Sequence, residues 1–298
     1  MHWLGRKAKS CQATIRRMNH SLSTFSQGVS HYENFPVASM LCPPRLRAAI
    51  QAIYAYARNA DDIADEGDAP AKTRLDDLAA YRADLIATAS GQAPSPRWKG
   101  VFAPLGVVIA QFALPVHLLA DLLSAFEQDV VKQRYASDAE LMNYCRRSAN
   151  PVGRLLLHLY GVTDAQSLEQ SDHICTALQL INFWQDLGLD IARGRIYLPA
   201  DAWHRYGVDE TQLLELRHDP NTMNLIASHA HQARVMMLKG SQLAKKLPGR
   251  GAWEMRLVVQ GGLRILDKIE ALNFDTLRQR PKLASWDVAV MGWRALWM

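Results

Sequence analysis

Gln179, Asn182, Asp186 and Asp190 recur at steps of three and four within the stretch QLINFWQDLGLDIARGRIYLP, residues 179–199. Read as one helix, this spacing stacks two amides and two carboxylates turn above turn, about 6 Å apart along the axis. Such a row is a ladder of hard oxygen donors, the ligand type that Mg²⁺ takes. Ile174, Ala177, Leu178, Ile181 and Trp184 fall on a separate apolar stripe that would bury the other side of the helix. The oxygen row runs into Arg193 and ends at Arg195 and Tyr197. A lone D-x-x-x-D is more often a solvated helix face than a metal site; a second row upstream changes that balance.

The second row is Tyr54, Arg58, Asp61 and Asp65, at offsets of four, three and four. Asp62 lies about 100° round the helix from Asp61. Pro43 and Pro44 mark the start of this helix, and Leu46, Ile50, Ile53 and Ala57 form its apolar stripe to about Asp65. If the two rows face each other across a cavity, four carboxylates repel unless cations neutralise them. Mg²⁺ would bridge one or two carboxylates to substrate phosphates. Arg58 and Arg195 would meet the remaining phosphate charge as fork donors. These parts suit removal of a diphosphate, which leaves a carbocation. An apolar, aromatic cavity would shield that cation and stabilise it through ring faces.

Composition narrows the alternatives. The 298 residues are 49% apolar, enough for a sizeable core in one large domain. The formal charge of +5 favours anionic partners: a diphosphate, nucleic acid or acidic lipid. No dense Lys/Arg run is interleaved with aromatics, so nucleic acid is the least favoured of the three. Cys11, Cys42, Cys145 and Cys175 show no C-x-x-C spacing. They suit a reducing compartment and suggest neither a disulfide framework nor a zinc site. The N-terminus is basic without a long apolar core, so no signal peptide is read and a cytoplasmic protein is expected. The most membrane-like run, Val101 to Leu123, contains Pro104, Gln111, Pro115, His117 and Asp121. It is better read as two buried helices with a break than as a span.

The remaining chain carries helical periodicity almost throughout. Residues 1–30 form a basic arm, and a single all-α domain is expected over 31–298. Helices are expected at about 71–90, 101–113 and 116–135, then at 141–160 with a break near Asn150-Pro151. The central stretch follows, Pro199 begins a short helix or turn, and long helices cover about 221–247 and 251–273. No period-two alternation, hairpin signal or internal repeat is present. No Gly-rich phosphate loop follows a strand, which removes the dinucleotide and P-loop readings.

The two rows resemble the aspartate-rich motifs of the squalene/phytoene synthase family of head-to-head isoprenoid synthases. The first runs from Tyr54 to Asp65 and the second from Gln179 to Tyr197. Between them, Tyr144-Cys145-Arg146 through Val152-Gly153 is similar to the family's Tyr-Cys…Val-Gly helix. The resemblance covers about 34–197 and implies an all-α isoprenoid-synthase fold around a central apolar cavity. It implies that Asp61, Asp65, Asn182, Asp186 and Asp190 hold Mg²⁺, and that Arg58, Tyr54, Arg195, Tyr197 and Gln179 contact the diphosphate. Tyr144 and Phe35 would line the reactive cavity, with Asp62 among the catalytic side chains and Asp129 near the site. The segments His31–Pro36, Ser148–Gly153 and Asn182–Asp186 are similar to the branch that ionises presqualene diphosphate and lets water capture the rearranged cation. Leu189 stands where many relatives carry Glu, and Ala64 replaces a comparable Glu in some squalene synthases.

Rival readings stay open at this level. The same fold and metals could condense two farnesyl diphosphates into presqualene diphosphate. A non-catalytic member of the fold is disfavoured because Asp61, Asp65, Asp186 and Asp190 are all present. No nicotinamide site is recognisable. His31, taken alone, is more often a surface residue. The C-terminal Trp286, Val288, Met291, Trp293, Leu296 and Trp297 either dock a helix on the domain or make peripheral contact with the inner face of a membrane. Oligomeric state is not legible.

Overall fold

The computed structural model describes residues 42–247 and 249–298; the basic arm, His31 and Phe35 lie outside them. Every named element among the described residues is a helix, and one isolated parallel bridge joins Arg134 to Ile196. The expected all-α class is therefore observed.

Helix α1 (Pro44–Asp65) begins where proline's fixed φ suits a first turn. It buries the expected Leu46, Ile50, Ile53 and Ala57, together with Tyr56 and Ala60. Its C-terminal carbonyls would be left without partners, and Arg74 of α2 (Ala71–Ala89) supplies them. The guanidinium donates to the carbonyls of Ala64 (2.7 Å), Ile63 (3.3 Å) and Gly67 (2.5 Å). The end of α1 that carries Asp61 and Asp65 is thereby fixed. Helices α3 (Lys99–Phe112) and α4 (Val116–Val131) complete the first half. The expected two helices with a break are observed; α4 buries six residues, whereas α3 buries only Phe102, Leu105 and Val108 and leaves Val107 on the surface. An amphipathic helix at the edge needs only one apolar stripe. The Tyr56 hydroxyl donates to the Leu119 carbonyl and the Tyr81 hydroxyl to the Tyr56 carbonyl, each at 3.0 Å, tying α1, α2 and α4 together.

The second half is built on α5 (Asp138–Ser148), α6 (Asn150–Tyr160) and α7 (Ala165–Gln185). The short helices α8 (Leu187–Ala192), α9 (Ala200–Tyr206) and α10 (Glu210–Leu214) follow. The long α11 (Pro220–Gly240) and α12 (Gly249–Ala271) pack on α7, and α13 (Ser285–Leu296) docks on α12. No helix among the described residues is long and apolar enough to cross a membrane.

Two apolar clusters result. One gathers α1 to α4 with Val152, Leu155 and Leu159 of α6; the other gathers α5 and α7 to α12 with Ala125 of α4 and Leu157 of α6. Helices α4 and α6 are thus shared walls.

The central stretch departs from the single straight helix expected of it. It breaks at Asp186 (φ −106°, ψ 13°), and α8 ends at Ala192. The ladder itself survives the break, because Asp186 N–H still donates to the Asn182 carbonyl (3.0 Å) and Asp190 N–H to that of Asp186 (2.9 Å). Arg195 and Tyr197 do not continue the helical face. Gly194, at φ +83°, turns the chain, and Ile196 N–H donates to the Gln133 carbonyl at 3.0 Å.

A second chain segment lies against the break. Gly188 N–H donates to the Thr276 carbonyl (3.3 Å), and the buried Gln185 amide donates to the Pro281 carbonyl (2.8 Å). A Cβ at Gly188 would sit 2.2 Å from the Leu277 carbonyl oxygen, so backbone meets backbone here. Gly188→Ala should push residues 276–281 off the break and cost about 1–3 kcal/mol. A lowered thermal midpoint checks this, and a midpoint equal to that of the parent chain would refute it.

Candidate active site

Arg195 joins the two acidic rows. Its guanidinium donates two hydrogen bonds to the Asp65 carboxylate, at 3.0 and 2.5 Å, across 130 residues of chain. The same group reaches the Asp129 carbonyl of α4 at 3.4 Å. A bidentate guanidinium–carboxylate pair fixes orientation as well as distance. It places the end of α1, the end of α4 and the segment after α8 around one point.

On α1, Arg58 sits 2.6 Å from Asp62 and 3.5 Å from Asp61, and also pairs with Glu66. Desolvation raises the Asp62 carboxyl above its ordinary range, partly offset by the Arg58 charge. Tyr54 is half-buried on the same helix and packs against the first apolar cluster.

Asp129 is the interior member of the group. The Tyr144 hydroxyl donates to its carboxylate at 2.9 Å. Desolvation pushes the Asp129 carboxyl up to about 7; Asp65 and Asp61 add to the rise, against the Tyr144 hydrogen bond and the Arg195 charge. Around this pair stand stacked rings. Tyr197 lies on Phe183 with centroids 3.7 Å apart and planes 9° from parallel. Tyr135 is 5.6 Å from Tyr144 and 5.8 Å from Tyr197. Tyr144 and Tyr197 are both buried, and desolvation holds both phenols protonated, well above their ordinary range.

On the second row, Gln179 and Asn182 are half-buried on α7, and Asp186 stands at the break. Asp190 is pushed up to about 7, first by burial and then by the Asp186 carboxylate, with Arg193, Arg195 and Arg280 opposing. Asp186 itself is held by both arms of Arg280, one contact being 2.9 Å. Arg280 was not among the expected residues. Its one local signal is the basic run Arg278, Arg280, Lys282, which says nothing of a partner 94 residues earlier. The Gln185–Pro281 hydrogen bond is what aims it.

Thus Asp61, Asp65, Asp129, Arg195 and Tyr144 are brought to one place, and Asp186, Asp190 and Arg280 form a further charged group in which Asp190 also feels the Arg195 charge. Among the described residues no three acidic, His or Cys side chains form a ready-made metal cage. The donors instead form rows with arginines between them. That arrangement suits Mg²⁺, which keeps its waters and takes one or two carboxylates with substrate phosphates. The raised carboxyls of Asp129 and Asp190 owe most to burial, and neighbouring carboxylates add to the rise.

The raised Asp129 value carries a sign. The folded state holds its proton to about 7, whereas an unfolded aspartate releases it near 3.8. Between those values the folded chain binds more protons, so stability falls as pH rises. In EDTA, the parent chain should lose stability from pH 5 to pH 8. Asp129→Asn should flatten that loss by on the order of 1–2 kcal/mol after solvent screening. Denaturant midpoints at the two pH values test this; equal slopes for the two chains would rule it out.

The squalene/phytoene synthase profile matches residues 29–287. A hydroxysqualene synthase of Sinorhizobium fredii is 32% identical over 270 residues, covering 90% of this chain and 89% of that protein. A presqualene diphosphate synthase of Rhodopseudomonas palustris is 30% identical over 258 residues, covering 86% and 90%. The crystal structure of a squalene synthase from Alicyclobacillus acidocaldarius superposes with a TM-score of 0.76 at 32% identity, covering 87% of this chain and 96% of that one. A profile spanning nearly the whole chain, and relatives matched over most of their length, place this protein in the squalene/phytoene synthase family.

Proposed function

We propose that the chain is a hydroxysqualene synthase, converting presqualene diphosphate to hydroxysqualene by ionisation and water capture. The observation that carries the reading is the Arg195–Asp65 clasp, which sets the end of the first acidic row beside the Tyr144–Asp129 pair, while the Arg195 charge also reaches Asp190 of the second. A charged rim for the diphosphate thus adjoins an aromatic interior for the cation. The name shared by relatives at 32%, 34% and 41% identity favours this reaction over its neighbours.

Asp61, Asp65, Asn182, Asp186 and Asp190 would hold Mg²⁺. When bound, that ion neutralises charge on the departing diphosphate. The chain's own cations complete the task. Arg195, Arg58 and Arg280 are fork donors already on the rim, and diphosphate oxygens compete with the carboxylates for them. Phe183, Tyr197 and Tyr144 cluster at the interior end; Phe183 and Tyr197 cover one face of each other, and the remaining ring surface would stabilise a carbocation. Capture of the cation by water forms the new C–O bond and releases one proton. Asp129, held unprotonated only with difficulty, is placed to accept it, with the Tyr144 hydroxyl orienting its carboxylate.

The rival reading is condensation of two farnesyl diphosphates to presqualene diphosphate, favoured by the 30% identical relative of that name. Purified protein incubated with each substrate, with and without Mg²⁺ and a nicotinamide, separates the two. Extracted lipid should contain hydroxysqualene from presqualene diphosphate, with Mg²⁺ required and the nicotinamide without effect. Consumption of farnesyl diphosphate alone would assign the rival. Asp186→Asn and Arg195→Lys should each lower kcat/KM by roughly 10²-fold or more, about the loss of one transition-state charge contact. Unchanged turnover in a folded Asp186→Asn protein would place the chemistry elsewhere.

A further inference from the structure

Helix α13 has two apolar sides, and only one is covered. Asp287, Met291 and Ala295 are buried against the domain. Asp287 is fully enclosed, with Arg264 at 2.6 Å, Lys268 at 2.8 Å and the Ala284 N–H at 2.6 Å, so the docked face is pinned by charge. Trp286, Trp293 and Trp297 are spaced seven and four apart, which puts them within about 40° of one another on the helix. They are 57%, 63% and 78% exposed. Leu296 flanks them in the open. Single exposed apolar residues are ordinary, but three aligned indoles are not.

The surroundings of the stripe are cationic. Arg264 and Lys268 stand over the Trp286 ring at 4.5 and 5.0 Å. Arg256 lies over the Trp253 ring at 5.2 Å and donates to the Ala295 carbonyl, bringing a further exposed indole to the same end of α13. Arg294 is exposed and pairs with Asp267 at 2.7 Å, and Arg264 and Lys268 pair with the buried Asp287, so Arg256, Arg264, Lys268 and Arg294 outnumber the two acids they share this end with, and exposed Lys282 stands three residues before α13. Indoles prefer the headgroup level of a bilayer, where the ring is apolar and the N–H stays wet. Basic side chains beside them add attraction to anionic lipid. A second copy of the chain fits less well. At about 150–250 Å² per aromatic side chain, the three indoles expose on the order of 400 Å², against roughly 800 Å² per partner in a stable dimer.

We propose that the tryptophan face of α13 is a peripheral docking surface for an anionic lipid bilayer, with the helix lying in the plane of the headgroups. This surface stands independently of the reading of the active site. The test is sedimentation of the full chain with vesicles of phosphatidylcholine alone or mixed with phosphatidylglycerol. The parent chain should pellet with the mixed vesicles, with a blue shift of tryptophan emission. The triple variant Trp286→Gln, Trp293→Gln, Trp297→Gln should bind roughly tenfold or more weakly, with an unchanged circular dichroism melt. If the triple variant fails to fold, Trp297→Gln alone carries the test and should bind roughly threefold more weakly. Equal pelleting of a folded variant and the parent overturns the proposal. So does a dimer in analytical ultracentrifugation that the triple variant dissolves, with no vesicle binding by the parent.

Discussion

The Arg195–Asp65 clasp is the constraint on which the site depends. It closes a loop of 130 residues with a pair of directed hydrogen bonds, and it does so at the seam between two apolar clusters. Helix packing alone leaves a seam free to slide by fractions of a turn. A planar guanidinium on a fixed carboxylate does not tolerate that freedom. The clasp also carries electrostatic weight. Without the Arg195 charge, Asp65, Asp61 and Asp129 would confront one another in a partly desolvated space. The guanidinium therefore organises the acids and makes their closeness tolerable.

The acids are held in place from behind by contacts to backbone as well as by charge. Arg74 holds the end of α1 through three carbonyl oxygens, and the break at Asp186 is held by a segment from the far end of the chain. That segment reaches the break because Gly188 has no side chain to keep it out. Its arrival delivers Arg280 to Asp186. Each acidic row is thus held by an arginine remote in sequence, and both arginines are anchored by loop geometry.

Helix α1 could be read almost entirely from sequence, because local signals and tertiary demand agree there: a proline start, a clean apolar stripe and a polar row on another face. The same holds for the break at Asn150-Pro151 between α5 and α6. The acidic rows were legible because their period matches the helix. The break at Asp186 was not, since the stretch has no proline and keeps its i to i+4 hydrogen bonds through the bend. Arg195 was identified as a residue, yet its setting was misread: it stands on a turn after Gly194, and a non-local bridge to Arg134 sets that turn. Arg280 was missed because its role exists only through contacts made across the fold. For α13 the sequence offers both docking and outward contact; the structure shows that Met291 and Ala295 dock while the tryptophans face out, a division the short apolar segment does not itself reveal.

Helices α4 and α6 lend side chains to both apolar clusters. Neither half can melt by itself without stripping apolar surface from a wall that the other half needs. The molecule is therefore wired as one cooperative unit, and slow amide exchange should extend through α4 and α6 as a common hinge-free spine. A substrate of the proposed kind would then enter at the rim, through the turns bearing the arginines.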